Sequence, residues 1–285
     1  MLHQPPAAWG LAVTRWRLGA LLAACGWLRL HSLPGLWQLL RRLGISLKRA
    51  REHVHSPDPD YRAKLETIHH HLAPAVDLVF VDEFTLSRQP SLASADEGRG
   101  HVQPYAELGY TSNRTWRIIA AVPAWTGQVN WLSASALSVG RLVAFYQQLW
   151  AAYPGAPVVY LVEDNWPLHF HPNVLAALQP QCSPWPFPQP ASWRGHPPSP
   201  RAKRLNLPIQ LLTLPTYASW TNPIEKLWRW LRQDVLHLHR FGDDWLGLKP
   251  TVGQFLDQFA RGSPALVRYL GLADPRRLYS AALTR

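Results

Sequence analysis

Residues 158–172 read VVYLVEDNWPLHFHP. Five mostly apolar, β-branched-rich residues run straight into Glu163 and Asp164, and His169 and His171 follow just beyond. Length and composition predict a buried strand. Carboxylates are costly neighbours at the end of such a strand unless something there uses them.

The same pattern recurs upstream. DLVFVDEF, residues 77–84, is another buried-strand run, and it carries Asp82. RTWRIIAAVPAW (114–125) and GQVNWLSA (127–134) predict two strands across a Thr126-Gly127 turn. VGRLVAFYQQLWAAY (139–153) has helical periodicity, and NVLAAL (173–178) a short helix. PIQLLTLP (208–215) predicts a last strand, and NPIEKLWRWLRQDVLHLH (222–239) a long helix. Strands first, then strands alternating with helices, predict an α/β sheet covered by helices over residues 75–245. Residues 180–208 are rich in Pro with Arg and Lys, and read as an insertion or mobile surface loop. Its cations, Trp185 and Trp193 suit either DNA contact or a plain irregular loop. Residues 246–285 read as a helical extension that packs on the core or helps dimerisation.

The chain has 285 residues, a net charge of +11 and a pI near 10.1. That balance suits a polyanion such as nucleic acid, or an anionic membrane surface. Residues 1–51 hold Arg15, Arg17, Arg29, Arg41, Arg42, Lys48, Arg49 and Arg51 and no acid. Leu18, Leu21, Leu22, Cys25 and Leu28 fall at helical spacing. A second helix follows, with Ser32 as cap, Pro34 in the first turn and Gly44 as stop. Two short helices of this kind fit any small bundle. The missing acids favour a helix-turn-helix on DNA over residues 1–55. Residues 56–74, opening on SPDPDYRAK, read as a linker, and His69 to His71 as a solvated helix end.

Two distant cysteines, Cys25 and Cys182, argue against a zinc site or disulfide framework and fit a reduced cytoplasm. No apolar run approaches the roughly 20 residues of a membrane span. RWRLGALLAAC resembles a lipoprotein signal, but its apolar stretch is at the short limit and continues as a helical pattern.

Asp82 and Asp164 stand at strand ends, where side chains converge outside a sheet. Glu225 opens the long helix, where the dipole favours a carboxylate. Three carboxylates gathered there repel unless divalent cations lie between them. Mg²⁺ and Mn²⁺ prefer such oxygen ligands and also bind phosphate. Two ions about 4 Å apart clamp a phosphodiester.

VDEFTLSRQP, LVEDNWPLHFH and YASWTNPIEKLWRWLRQ resemble the three signature blocks of DDE transposases of the insertion sequence 630 / Tc-mariner kind. The matching residues are Asp82-Glu83, Asp164-Asn165 with His169, and Asn222-Pro223-Ile224-Glu225. The resemblance covers most of residues 75–240. It implies a ribonuclease H-like mixed sheet flanked by helices, preceded by a small all-α helix-turn-helix module. It also implies two Mg²⁺ or Mn²⁺ ions on Asp82, Asp164 and Glu225, and double-stranded DNA ends as substrate. Cleavage is followed by strand transfer to a target, commonly TA, by a homodimer that handles two ends together. Glu83, Asn165, His169 and Asn222 are supporting positions, with His169 equally suited to a surface role. Arg41, Arg42, Lys48, Arg49, Arg51, Lys226, Arg229 and Arg232 are the candidate DNA contacts, while Trp228 and Trp230 read as packing. Glu225 follows Asp164 by 61 residues (225 − 164), more than the family's usual spacing, and the Pro-rich insertion accounts for the excess. The family also carries a further helix-turn-helix ahead, so the chain reads as open to being a truncated copy. A degenerate copy that only binds DNA, and a nuclease without strand transfer, are the competing readings.

Overall fold

A computed structural model of the chain describes residues 3–46, 56–96, 102–193, 195 and 197–283. The chain divides into two units, 1–54 and 55–285. Lys48, Arg49 and Arg51 lie outside the described residues.

The first unit holds helices α1 (Leu18–Ala24) and α2 (Leu33–Arg42), with a 3-10 turn at Gly26–Leu28 between them. Leu21, Cys25 and Leu36 are buried where the helices meet. Ser32 caps α2 by accepting from the Gly35 N–H. The first helix is shorter than its apolar spacing predicts, because the chain turns at Cys25–Gly26.

The second unit is built on five strands in the order β3-β2-β1-β4-β5. They are β1 (Asp77–Ser87), β2 (Thr115–Pro123), β3 (Asn130–Ala134), β4 (Val159–Glu163) and β5 (Ile209–Thr213). β1 pairs antiparallel with β2 along its length and parallel with β4 only from Asp77↔Val159 to Phe80↔Val162. Gly127, at φ 63°, makes the β2–β3 turn, a left-handed conformation that costs glycine little.

Alternation along β1 sends Leu78, Phe80, Phe84 and Leu86 into one core and Val79 and Val81 into the other. The second core is closed by α4 (Val139–Ala151) and α5 (Pro172–Leu175) through Leu142, Phe145, Tyr146, Leu149 and Val174. The first core takes α3 (Tyr61–His71), α7 (Glu225–Leu231), α8 (Trp245–Asp257), α9 (Pro264–Leu270) and α10 (Pro275–Leu283). The short helix α6 (Pro200–Lys203) lies in the Pro-rich region. Both faces of the sheet are therefore covered, which is why its strands read as nearly continuous apolar runs.

Three expectations change. Residues 61–71 are a core helix rather than a linker: Leu65, Ile68 and Leu72 are buried. The prolines before it are folded too, since Asp58 pairs with Lys64 at 2.7 Å and accepts from the Thr216 N–H at 2.8 Å. His71, read as solvated, rests against Tyr160 at 4.3 Å. The Pro-rich region is mostly irregular but anchored. Phe187 stacks on Phe170 at 4.8 Å, and Leu178 and Leu207 form a bridge. The long helix is α-helical only to Leu231 and then widens to a π turn over Arg232–Leu236, with Leu236 buried.

Candidate metal centre

β1 runs on past the point where β4 leaves it, and the split places side chains from both strands at one edge. Asp82 and Glu83, on opposite faces of β1, and Asp164, just beyond β4, line a cavity of about 380 Å³. Arg117, Ala136, Leu137 and Trp166 line the rest. Glu225 arrives on the first turn of α7. Asn222 steers it there: its Nδ2 donates to the Val81 carbonyl at 3.0 Å, one residue before Asp82. Asn165 ties the other side, donating to the Leu214 carbonyl at 2.8 Å.

The carboxylates feel one another. Burial, then the charges of Glu225 and Glu83, push Asp82 up to about 8, against a lowering pull from the Trp228 indole and a further push from Asp164. The indole Nε1–H donates to Asp82 Oδ2 at 2.8 Å. Burial also raises Glu225, opposed by Arg232 and Arg229 and aided by Asp164. Burial works to raise Asp164 as well, but His169 and the Trp166 N–H prevail and hold it below the usual carboxylate range.

His169 is buried, not a surface histidine. Its Nε2 lies 3.3 Å from Glu83 Oε1 and 3.5 Å from Asp164 Oδ1. Its Nδ1 lies 3.1 Å from Glu163 Oε2. Burial disfavours the charged ring, yet Glu163 and Glu83 raise its pKa well above the ordinary value. Glu83, Asp164 and His169 offer ligand atoms within 4.8 Å of one another.

A family model described as DDE superfamily endonuclease matches residues 77–245. The chain belongs to this family. The chain is 22% identical over 209 residues to the insertion element IS630 uncharacterized 39 kDa protein of Shigella sonnei. The match takes in 72% of this chain and 53% of that one, so the chain spans about half the length of its curated relative. Its fold is that of the Mos1 transposase structures. The Mos1 mariner paired end complex with Mg superposes with a TM-score of 0.60 at 14% identity, over 94% of this chain and 77% of that one. The complex with the left transposon end gives 0.59 at 15% identity, over 96% and 80%. The expected ribonuclease H-like mixed sheet is thus the fold of this chain.

Not every candidate converges on the cavity. Arg229 and Arg232 are exposed beside Glu225, Arg232 lying over the Phe84 ring at 4.9 Å. Lys226 is engaged elsewhere: its Nζ donates to the Leu270 carbonyl at 2.7 Å and holds α7 to the end of α9. Arg41 and Arg42 are exposed on the last turn of α2, with Arg41 over the Trp37 ring at 5.0 Å. Sequence reasoning marked Glu163 as a costly carboxylate but gave it no role, read Trp228 as packing although it lies one helical turn after Glu225, and gave no sign of Tyr146.

Proposed function

We propose that the chain is a transposase that cleaves DNA at element ends and transfers the freed strand to a target. The reading is carried by Asp82, Asp164 and Glu225, carboxylates of three chain-distant elements that stand in one another's field, with Asp82 and Asp164 lining one cavity. In support, the curated relative is an insertion-element protein, and the Mos1 structures are paired-end complexes with Mn or Mg.

The donor set fits Mg²⁺ or Mn²⁺. It is rich in oxygen, Asp82 is pushed up by burial and by its neighbours' charge, and Glu83 and Asp164 offer oxygens within 4.8 Å of one another. Asp82, Asp164 and Glu225 would hold two ions, which when bound supply activation of the attacking oxygen and stabilisation of the leaving one. The chain's own groups set the frame. Trp228 holds Asp82, Asn222 fixes the entry of α7, and His169 offsets the charge of Glu83 and Asp164. Arg117, at the cavity wall, would meet a phosphodiester, and Arg229 and Arg232 the flanking backbone. The partner is double-stranded DNA with TA as target, and a homodimer brings two ends together.

The test is a Mg²⁺-dependent nicking and joining assay on duplexes carrying the terminal repeats that flank the coding sequence. Nicked and joined products are expected. Asp82→Asn, Asp164→Asn and Glu225→Gln each abolish nicking and leave DNA affinity unchanged or raised. Normal nicking by any of the three removes that residue from the site. Nicking without joining makes the chain a nuclease, and binding without nicking a degenerate copy.

A further inference from the structure

Glu163 is the residue that the proposed chemistry leaves without a task. It ends β4 with its side chain turned under α4, 1% exposed. A carboxylate there is expensive, and a well-packed apolar side chain of similar volume is often as stabilising or more so. Each of its oxygens nevertheless faces a polar group, Oε1 through a hydrogen bond and Oε2 through charge. The hydroxyl of Tyr146, fully buried on α4, donates to Oε1 at 2.6 Å, and Oε2 meets His169 Nδ1 at 3.1 Å. The same hydroxyl lies 3.2 Å from Nδ1. Trp166 and Phe170 stand edge-on to the imidazole at 5.5 and 6.1 Å, so the ring is boxed on its other sides. Rotating the ring by half a turn would set carbon where Glu163 and Tyr146 now meet nitrogen. It would also withdraw Nε2 from Glu83 and Asp164.

We infer that Tyr146 and Glu163 are positioning residues that lock the His169 ring with Nε2 facing Glu83 and Asp164, and through it set the cation affinity of the carboxylate cluster. The inference rests on the proposed function, because it takes the cluster to be a cation site. It gives the buried acid at the end of β4 a use. Glu163 does not touch the cation; it orients the group that orients the carboxylates, as outer partners of metal ligands commonly do.

The decisive variant is Glu163→Met with Tyr146→Phe in the full chain, which replaces both polar partners with apolar groups of similar size. It should fold with a thermal midpoint somewhat below that of the wild type, because His169 Nδ1 is left buried without a partner. Calorimetry should show Mn²⁺ bound about tenfold more weakly, at the lower end of what loss of such partners causes. The side-chain ¹⁵N resonances of His169, assigned with His169→Gln, should show Nδ1 without its hydrogen bond. If the double variant does not fold, Tyr146→Phe alone carries the same three measurements. Wild-type Mn²⁺ affinity together with an unchanged His169 spectrum overturns the inference. Should the wild type itself bind no Mn²⁺, the cation site fails, and the His169 spectrum still decides whether Glu163 and Tyr146 fix the ring.

Discussion

Asp82 is held between opposing influences, and Trp228 supplies the restraining one. The sequence reading assigns Trp228 to packing, and it does stack on Phe84 at 5.1 Å. Its indole also donates to Asp82, which packing alone does not predict. Trp228→Phe keeps a ring and removes the donor. Stability should fall by about 1 kcal/mol. The Asp82 pKa should rise further, so the pH dependence of Mn²⁺ affinity shifts to higher pH in calorimetric titrations. The metal-free protein has a pH signature of its own. Asp82 moves from an ordinary 3.8 to about 8, and Glu163 from 4.5 to about 7. Between those values the folded chain keeps protons that the unfolded chain has lost, so stability falls as pH rises and levels off above about 8. Thermal midpoints should therefore decline from roughly pH 5 to pH 8. Mn²⁺, which binds the ionised carboxylates, should recover most of the loss at the upper end.

At the scale of elements, α3 is the clearest departure from expectation. Pro57 and Pro59, with acids between and after them, have linker composition, and Asp58 gives no local sign of its partners. Those partners, Lys64 and Thr216, are 6 and 158 residues away. Leu65→Ala should cost about 2–5 kcal/mol in denaturant unfolding, as for a fully buried leucine, whereas a linker residue would cost almost nothing. The strands were legible because covering both sheet faces demands unbroken apolar runs, as in LVFVD and VVYLV. The end of α7 was not, because the helical period of the sequence does not distinguish an α turn from the wider turn at Arg232–Leu236.

For the molecule as a whole, charge is the property that reaches furthest. The +11 balance and the acid-free stretch over residues 1–51 would make the proposed DNA binding depend on release of cations from the phosphates. Arg41→Ala and Arg42→Ala should each weaken binding about equally on any sequence and lower the slope of log K against log salt by about one. Fluorescence anisotropy over a salt series measures both. No helix among the described residues is long and apolar enough to cross a membrane.

Asp82, expected at a strand end, stands in the middle of β1. Residue types and spacing alone determined the strands' apolar runs, the places of Asp164 and Glu225 on their elements, and the family. These depend on local periodicity and on short motifs, which a chain displays without folding. Only the tertiary structure decided that His169 is buried, that Lys226 holds α9, and that Glu163 turns inward while Asp164 faces the cavity. A side chain's partners across the sheet depend on where β1 parts from β4 and on what α4 and α7 bring to the gap. Sequence proximity carries no information about either.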